Sequence, residues 1–284
     1  MTDIAGKTAF VTGGASGLGF AMARSLAQRG ARLMLADINE SQLETAKKSL
    51  RDAGATVESI VCDVSKPNEV QAAADATIAA FGSVHIIVNN AGVALGGESG
   101  ATSLKDWNWI VGINLMGVVH GIEAFLPLIK SHGEGGHIVN VASMAGHVAS
   151  PTMAPYHATK FAVVGYSESL QAELAESNIG ISVLCPAWVS TDIHKSSLGR
   201  PAMDQSEEEA MADPRFQEIK AVVEGGISAN IVGDYVAECV EADRFYIFTH
   251  PEMKPFIDHR HHMIQKDYDV CARDERFNQN IPQG

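Results

Sequence analysis

The chain has 284 residues, of which 46% are hydrophobic and 19% charged, enough for one large α/β domain or two small ones. Its net charge of −13 argues against a nucleic acid or an anionic membrane as a partner. The apolar runs are short and no basic, apolar leader precedes the first strand, so we predict no membrane-spanning segment and a cytoplasmic location. Four widely spaced cysteines form no C-x-x-C pair, which argues against zinc and disulfide frameworks.

The hydrophobic pattern up to residue 37 predicts a βαβ unit. A short apolar strand ends at Thr12, a helical pattern covers 18–28, and a second strand ends at Asp37. The turn before the helix contains three glycines with G-x-x-x-G-x-G spacing: Gly13, Gly17 and Gly19. Backbone N–H groups and the helix dipole at such a turn favour a pyrophosphate, so we predict nucleotide binding. A glycine-rich turn without a ligand is the alternative.

Asp37 bears on the choice of nucleotide. At the end of the second strand, a carboxylate can accept hydrogen bonds from both ribose hydroxyls of NAD and would repel the 2′-phosphate of NADP. Ile38, Asn39 and Ser16 supply no positive charge for that phosphate. The pattern therefore favours NAD, although Asp37 could instead cap the helix that begins near Glu40.

Beyond Asp37, strands and helices alternate along the chain. Predicted helices cover 39–53, 67–81, 104 to about 130, a segment carrying Tyr156, and 228–242; predicted strands cover 56–64, 84–90, 137–143, 179–186 and 244–250. This alternation predicts a parallel sheet with helices on both faces, in a single domain over 1–284. Asp63 and Val64 end the third strand, where they are placed to meet an adenine ring. Small residues around Gly92 follow the fourth strand and allow close approach to a ligand, or form an ordinary turn.

The predicted helix over 104–130 contains glycines, each of which costs about 1 kcal/mol relative to alanine inside a helix. We therefore expect close packing there, against the sheet or another subunit. Asn114 also lies in this helix, where its propensity is poor. Either its side chain faces solvent or its amide holds another group.

Tyr156 and Lys160 are four residues apart on a predicted helix, so a phenol and an ammonium lie on one face. A neighbouring cation lowers the pKa of a tyrosine, and a shift of about 2 units, worth roughly 2.7 kcal/mol, makes it a usable general base. Ser143 ends an apolar strand and could hydrogen-bond the substrate oxygen that Tyr156 deprotonates. The spacing alone is a weak signal, since many surface helices share it.

The segment over 187–226 is polar and rich in methionine, and we interpret it as a mobile lid over the site. Lys195 and Arg200 within it could bind a substrate carboxylate. The tail over 251–284 is predicted to be helical and exposed. It contains clustered histidines, His259, His261 and His262. Because they are nearly adjacent and no cysteine is nearby, a surface helix is the preferred interpretation and we predict no metal site.

The motifs over about 5–250 resemble the short branch of the short-chain dehydrogenase/reductase family. The residues that carry the resemblance are Gly13, Gly17, Gly19, Asp37, Asp63, Asn89 to Gly92, Asn114, Ser143, Tyr156, Lys160 and Thr191. The extended branch has a different glycine spacing and longer chains. One position departs from the family pattern. The usual Pro-Gly beside the nicotinamide is Pro186-Ala187 here, whose added methyl could crowd the ring or narrow the substrate poses.

The resemblance implies a Rossmann-type fold and NAD-dependent interconversion of a secondary alcohol and its ketone. Tyr156 would be the acid/base, and Lys160 would lower its pKa and hold the nicotinamide ribose. Ser143 would orient the substrate oxygen, and Asn114 would bind a water that links Lys160 to solvent. The implied dinucleotide-binding residues are Gly13, Ser16, Gly17, Leu18, Gly19, Asp37, Ile38, Asp63, Val64, Asn90, Ala91, Gly92, Tyr156, Lys160, Val189 and Thr191. The family also implies a homodimer or homotetramer built on long helices.

The residues predicted to line the substrate pocket are mostly apolar, which favours a hydrophobic or aryl alcohol over a sugar or a charged acid. They are Leu95, Ser143, His147, Met153 and Trp188. Parts of the long helix and the stretch FYIFTHPEM resemble a branch of the family with Cα-dehydrogenases of lignin-derived aryl ethers. The alternatives are an NADP-dependent carbonyl reductase and a non-catalytic nucleotide-binding scaffold or sensor. The presence of all four candidate catalytic residues argues against the scaffold.

Overall fold

A computed structural model of the chain describes residues 2–278, in which one compact unit ends at Thr249 and a second begins at His250. The main strands of the first unit are β1 Thr8–Thr12, β2 Arg32–Asp37, β3 Val57–Val61, β4 Ile86–Asn89, β5 Gly136–Val141, β6 Ile179–Cys185 and β9 Tyr246–Phe248. They form one parallel sheet in the order β3-β2-β1-β4-β5-β6-β9. The predicted fold class, a Rossmann-type doubly wound parallel sheet flanked by helices, is confirmed.

Helices cover both faces of the sheet. One face carries α1 Gly17–Gln28, α2 Glu40–Asp52 and α9 Ala229–Glu241, and the other carries α3 Pro67–Phe81, α5 Gly117–His132 and α6 Ala154–Glu173. Successive residues of β1 point to opposite cores, as a strand buried on both faces requires. Val11 packs with Met22 of α1 in the first core, and Phe10 stacks on Phe125 of α5 in the second with ring centroids 4.2 Å apart.

The predicted helix over 104–130 is interrupted. It consists of α4 Leu104–Val111, a π-helical turn over Gly112–Met116, and α5. Among the described residues, the stretch Leu104–His132 is the one helix long and apolar enough to cross a membrane by length and composition alone. The uninterrupted apolar runs in this stretch are short, as predicted, because polar residues such as Asn108, Asn114 and His120 break them. Because Ile110, Val118 and Phe125 are buried in the protein core, the stretch serves as a core helix of the fold.

The predicted lid over 187–226 is folded. It contains β7 Val189–Ser190, a 3-10 turn over Ile193–Gly199, α7 Glu207–Ala212 and α8 Pro214–Glu224. β7 pairs with β8 Ile227–Ser228, so the segment leaves and rejoins the main body at one two-stranded sheet. In the second unit, the tail forms α10 Lys254–Ala272 and α11 Glu275–Asn278. His259, His261 and His262 are exposed on α10, as the surface-helix interpretation expects.

Candidate functional site

The glycine-rich turn and the end of β4 meet at the carboxyl edge of the sheet, where β1 and β4 lie side by side. Thr12 Oγ1 accepts hydrogen bonds from the backbone N–H groups of Asn90 at 2.9 Å and Ala91 at 3.0 Å. The side-chain amide of Asn90 donates to the backbone oxygen of Thr12 at 2.9 Å. Strand order reverses at this point, and ligands of open α/β sheets bind in the crevice there. These contacts fix the two walls of the crevice relative to each other.

Two glycine positions of this turn have no room for a side chain. Gly13 has a φ of +62°, and a Cβ there would lie 2.7 Å from Asn90 Nδ2. A Cβ on Gly19 would clash with the carbonyl oxygen of Gly13. Ser16 is the N-cap of α1, and Leu18 is half-buried against the first core. The turn therefore brings bare backbone to the N-terminus of a helix, a cradle that fits the pyrophosphate of a dinucleotide.

Asp37 lies at the end of β2, beside the same turn. Its Oδ2 accepts a hydrogen bond from the N–H of Ala15 at 3.1 Å, and its Oδ1 accepts one from the N–H of Asn39 at 3.0 Å. Asn39 caps α2, since its Oδ1 accepts from the N–H of Gln42 at 3.1 Å. The interpretation of Asp37 as a helix cap is therefore wrong. Ile38 beside it is 69% exposed.

Asp63 and Val64 follow β3. Burial would raise the pKa of Asp63, but hydrogen bonds from Ser65 and the charge of Lys66 outweigh burial and lower it. The Ser65 hydroxyl donates to Asp63 Oδ1 at 2.7 Å. Val64 is buried, and a Cβ on Gly117 would lie 2.8 Å from its Cγ2. The Asp63 carboxylate is thus held as an anion by its own turn, and the neighbouring valine lies against the long helix.

Asn114 lies on the π-helical turn and clamps the loop that follows β4. Its Oδ1 accepts from the N–H of Val93 at 2.8 Å, and its Nδ2 donates to the Val93 oxygen at 2.9 Å. The same Nδ2 donates to Thr159 Oγ1 on α6 at 3.3 Å. The side chain is 1% exposed, so the amide holds another group and does not face solvent. π-Helical turns inside α-helices occur frequently at functional sites.

Ser143, Tyr156 and Lys160 come together beside this loop. Lys160 Nζ lies 5.6 Å from the centroid of the Tyr156 ring and donates to the Val141 oxygen at 2.9 Å. The side chain of Ser143 hydrogen-bonds Tyr156. A Cβ on Gly92 would lie 3.6 Å from Lys160 Nζ, which places the loop backbone against the ammonium. A hydroxyl, a phenol and an ammonium therefore converge at the end of β5.

Burial dominates the titration of these groups. It raises the pKa of Tyr156, and the hydrogen bond with Ser143 acts in the opposite direction. It also lowers the pKa of Lys160 to about 8, against an opposing effect of Cys185. The pKa of Tyr156 is therefore raised and not lowered as predicted, because burial is the largest influence on it. Burial removes both groups from water, which disfavours the phenolate of Tyr156 and the ammonium of Lys160.

Cys185 ends β6 and lies beside Ser143. It is fully buried, and the backbone of Ser143 acts to lower the pKa of its thiol. The sulfur lies 3.2 Å from His147 Nε2. Burial raises the pKa of the thiol to about 12, so it is neutral at physiological pH. The His147 ring, predicted to line the substrate pocket, packs against Phe248 with ring centroids 5.3 Å apart.

The lid segment contacts the crevice at several points. A Cβ on Gly17 would lie 3.3 Å from Thr191 Cγ2, which places Thr191 against the glycine-rich turn. Val189, at the start of β7, is buried. Ser196 Oγ accepts from the N–H of Ala94 at 2.8 Å, next to the loop that Asn114 clamps. The lid is therefore anchored to both walls of the crevice.

The two cations of the lid are paired with carboxylates. Lys195 Nζ lies 2.6 Å from Asp192, and Arg200 Nε lies 4.0 Å from the buried carboxylate of Asp106. Asp106 also accepts from the N–H of Ala202 at 3.0 Å. These partners compete with a substrate carboxylate, so the contacts disfavour the interpretation of Lys195 and Arg200 as a carboxylate site.

The other predicted pocket residues lie on segments that flank the crevice. Leu95 is buried in the loop after β4, and Met153 lies immediately before α6. The two loops brace each other, because Gly97 N–H donates to the Thr152 oxygen at 2.7 Å. Trp188 opens the lid segment and is 47% exposed.

Sequence reasoning did not assign functions to several residues that build this site: Thr12, Thr159 and Cys185. Their types carry no chemical signal of their own. Thr12 offered one usable signal, because a hydroxyl at the end of β1 faces the switch point of the sheet. The other two act through contacts between segments distant in sequence, which no local pattern encodes.

Comparison with known proteins gives the site a family context. The family model described as short chain dehydrogenase matches residues 7–200. The chain is 36% identical to the CLA biosynthesis dehydrogenase/reductase of Lactiplantibacillus plantarum, with 94% of this chain and 96% of that protein covered. It is 32% identical to the C alpha-dehydrogenase of Sphingobium sp. strain SYK-6, with 89% and 84% covered.

A solved structure is also similar along nearly the whole chain. The crystal structure of a short chain dehydrogenase/reductase from Burkholderia phymatum in complex with NAD has a TM-score of 0.88 and 39% identity. The match covers 94% of this chain and 97% of that one.

Proposed function

Because this chain belongs to the short-chain dehydrogenase family, we propose that it is an NAD-dependent oxidoreductase. It interconverts a hydrophobic secondary alcohol and its ketone, with Tyr156 as the acid/base. The observation that carries the proposal is the convergence of Ser143, Tyr156 and Lys160 beside the crevice that fits a dinucleotide. When bound, the nicotinamide supplies the hydride acceptor for alcohol oxidation, or the hydride donor for ketone reduction.

Tyr156 holds the proton that the substrate oxygen gives or takes. Since burial raises its pKa, the hydroxyl is protonated at neutral pH and is ready to donate to a ketone. In alcohol oxidation the phenol must become an anion, and the Lys160 ammonium, 5.6 Å from the ring centroid, stabilises that anion. With a pKa of about 8, Lys160 is mostly charged at pH 7. Ser143, already hydrogen-bonded to Tyr156, orients the same substrate oxygen.

Asn114 supports the site by holding the loop at Val93, through the two hydrogen bonds to that backbone. A water bound by Asn114 and linked to Lys160 stays a prediction. The other residues that the family resemblance implies for dinucleotide binding are proposed to bind it because of their position along the crevice.

The test of this proposal is Tyr156→Phe. We expect kcat to fall by about 10²- to 10⁴-fold, the range of general acid–base catalysis, while NADH binding measured by fluorescence titration is retained. Tyr166→Phe, on the same helix and half-buried, is the matched control and should keep wild-type turnover. Unchanged turnover in Tyr156→Phe would overturn the proposed chemistry.

The preference for NAD is proposed from Asp37, whose carboxylate lies at the end of β2 beside the glycine-rich turn. A 2′-phosphate there would meet a like charge. We expect wild-type kcat/KM to favour NAD, and Asp37→Ser to shift the NADP-to-NAD ratio by about tenfold or more, equivalent to about 1.4 kcal/mol. A wild-type enzyme that prefers NADP would favour the alternative, an NADP-dependent carbonyl reductase.

A hydrophobic or aryl substrate is proposed from the apolar residues on the flanking loops and from the pairing of Lys195 and Arg200 with acids. Screening aryl and alicyclic secondary alcohols for NADH formation tests this class. A better rate with sugar alcohols or hydroxy acids would contradict it. We further propose that the protein is cytoplasmic. We also propose that it is a homodimer or homotetramer, which sedimentation of the purified protein would test.

A further inference from the structure

We propose that His157 is a positioning residue, whose imidazole holds the loop between Ser143 and Tyr156 in the conformation that receives the substrate. The inference rests on the proposed function, because this loop, residues 144–153, connects two of the proposed catalytic side chains. The loop also contains Met153, which is predicted to line the substrate pocket. His157 follows Tyr156 on α6 and is buried.

Both ring nitrogens of His157 reach the loop. Nδ1 lies 2.9 Å from the backbone oxygen of Ala145, near the start of the loop. Nε2 lies 3.0 Å from the backbone nitrogen of Ser150, and also 3.0 Å from its hydroxyl oxygen, in the second half of the loop. One side chain therefore ties two parts of the loop to the helix that carries Tyr156 and Lys160.

These partners fix the tautomer of the imidazole. A carbonyl oxygen only accepts hydrogen bonds, so Nδ1 carries a proton and donates it to Ala145. A backbone N–H only donates, so Nε2 keeps its lone pair and accepts from Ser150. The arrangement requires a neutral ring with its proton on Nδ1, because an imidazolium has no lone pair for the second bond.

The first of these bonds continues to Ser143. The N–H of Ala145 donates to Ser143 Oγ at 3.1 Å, and the Ser143 hydroxyl donates to the Pro186 oxygen at 3.3 Å. His157 thus holds the carbonyl group of the same residue whose N–H contacts the Ser143 hydroxyl. Because Pro186 remains as a second partner, loss of His157 weakens the placement of that hydroxyl without removing it.

The second bond acts next to a strained turn. Thr152 has a φ of +63°, a left-handed conformation that a β-branched residue rarely adopts. Such a conformation persists only where its surroundings impose it. On one side of the turn, Ser150 is bound by His157. On the other side, Met153 is bridged to Gly97. The imidazole therefore helps to keep the turn, and with it Met153, in place.

The experiment compares three substitutions of His157 in the purified full-length protein, with the secondary alcohol that the wild type oxidises fastest in the substrate screen. His157→Phe keeps a ring but makes neither bond. In His157→Asn the amide nitrogen replaces Nδ1 and can donate to Ala145, whereas in His157→Gln the amide oxygen replaces Nε2 and can accept from Ser150.

We expect His157→Phe to lower kcat/KM by about 5- to 30-fold, mainly through KM for the alcohol, because two hydrogen bonds that favour the native loop are lost. His157→Asn and His157→Gln each keep one bond and should stay within about threefold of wild type. The Kd for NADH should change little, since no residue of the loop belongs to the implied dinucleotide-binding set. Unchanged kcat/KM in His157→Phe, or equal losses in all three variants, would overturn the proposal.

His132→Phe is the matched control. It also removes two hydrogen bonds of a histidine ring, one of 2.9 Å to the Val84 oxygen and one of 3.1 Å from the Glu134 N–H. These bonds lie beside the start of β4, at the opposite end of the strand from the site. His132→Phe should lose stability in urea unfolding and keep the wild-type KM. A rise in KM equal to that of His157→Phe would show a general effect of lost stability and contradict the proposal.

A second arm uses the strained turn. Glycine adopts a positive φ without strain, so Thr152→Gly should keep the turn in place when His157 no longer binds the loop. We expect the double variant to recover about threefold or more in kcat/KM relative to His157→Phe alone. A double variant as impaired as the product of the two single effects would contradict the role of His157 in holding the turn.

A third measurement separates this inference from the proposed function. Nitrogen NMR of histidine-labelled protein, with the signal assigned from His157→Phe, should show a neutral His157 ring protonated on Nδ1. Amide hydrogen exchange at Ser150 should be faster in His157→Phe than in wild type. If Tyr156→Phe keeps its turnover, the proposed function fails whatever this spectrum shows; if His157 is protonated on Nε2, the positioning role fails although the function stands.

Discussion

The sheet buries ionisable side chains at both ends of its strands, the carboxyl edge and the amino edge, but it uses them differently. At the carboxyl edge, Tyr156 and Lys160 meet beside the crevice, and the Lys160 ammonium donates to one described acceptor although it has three N–H bonds. At the amino edge, His85, His132 and Glu134 form a compact group, with the two rings 4.6 Å apart. Burial lowers the pKa of His85 there as it lowers that of Lys160.

The difference lies in how much hydrogen-bonding capacity is left. His85 Nδ1 accepts from the N–H of Thr8 at 3.3 Å, and its Nε2 lies 3.0 Å from Glu134. His132 Nδ1 accepts from the N–H of Glu134 at 3.1 Å, and its Nε2 lies 2.9 Å from the Val84 oxygen. Both nitrogens of both rings are engaged, which holds the edge together. A perturbed pKa therefore points to chemistry only where the group keeps capacity for a ligand.

The largest expected difference is in kcat, between substitutions of two lysines, one at each edge. Lys160→Met should lower kcat by about 10³-fold, because it removes the cation that stabilises the Tyr156 anion. Lys7→Met should leave kcat unchanged and cost at most about 1 kcal/mol of stability, since its ion pair with Glu134 is partly exposed. Steady-state kinetics measures kcat of both variants, and urea unfolding measures their stability. Equal kcat losses would remove the functional distinction between the edges.

The next effect concerns pH and the amino edge. Burial lowers the pKa of His137 to about 4, with Asp243 acting in the opposite direction. The unfolded chain, with a pKa near 6.5, binds more protons between these values, so stability falls as the pH drops from about 6.5 to about 4. The loss assigned to this residue is about 3 kcal/mol.

His137→Leu should remove that part of the pH dependence, measured by urea unfolding at pH 7 and pH 4.5. The exposed His259→Gln is the control and should keep the wild-type slope. A slope unchanged in His137→Leu would show that another group carries the acid sensitivity.

A smaller difference is expected in stability, between substitutions of two threonines of β1. Thr12→Val should destabilise the protein by about 2 kcal/mol and weaken NADH binding, because two N–H groups lose their acceptor. The buried hydroxyl of Thr8, at the other end of the strand, has no described hydrogen-bond partner, so Thr8→Val should be neutral or stabilising by up to about 1 kcal/mol. Thermal unfolding with and without NADH tests both, and a larger loss in Thr8→Val would invert the comparison.

The smallest effect is expected from zinc. The hydrogen bonds of His85 and His132 place a proton on each Nε2 and occupy each Nδ1 lone pair, so neither ring has a lone pair to offer a metal. Adding zinc at micromolar concentration should leave the Tm unchanged. A rise in Tm that His132→Gln abolishes would show that the group rearranges into a metal site.

Most of the sheet was predictable because its signals are local. The alternation of apolar strands with helical patterns predicts the βα units, and the glycine spacing before α1 predicts the cradle. The glycines of the long helix also predict close packing correctly, since a Cβ on Gly117 would press on Val64 and one on Gly121 would clash with Asn89.

What the sequence could not supply lies in contacts between distant segments. Asn114, on the π-helical turn, hydrogen-bonds Val93 and Thr159, which lie 21 and 45 residues away. Helical periodicity carries no information about such distant partners, so it predicts an unbroken helix there. The titration of Tyr156 likewise depends on burial by the whole fold, and the spacing to Lys160 gives no measure of it. Cys185 had no pattern at all, because its contact with His147 joins residues 38 positions apart in the chain.

The hydrogen bond between the Asn90 N–H and Thr12 Oγ1 connects residues that are 78 positions apart in the chain. On the ribosome, β1 therefore emerges long before its neighbour β4, and at about 5 to 20 residues per second the interval lasts about 4 to 16 s. Throughout that time one side of β1, a buried apolar strand, is an unpaired template for other nascent chains. The order of strands that creates the crevice thus also sets when, during synthesis, this protein is most exposed to aggregation and most in need of a chaperone.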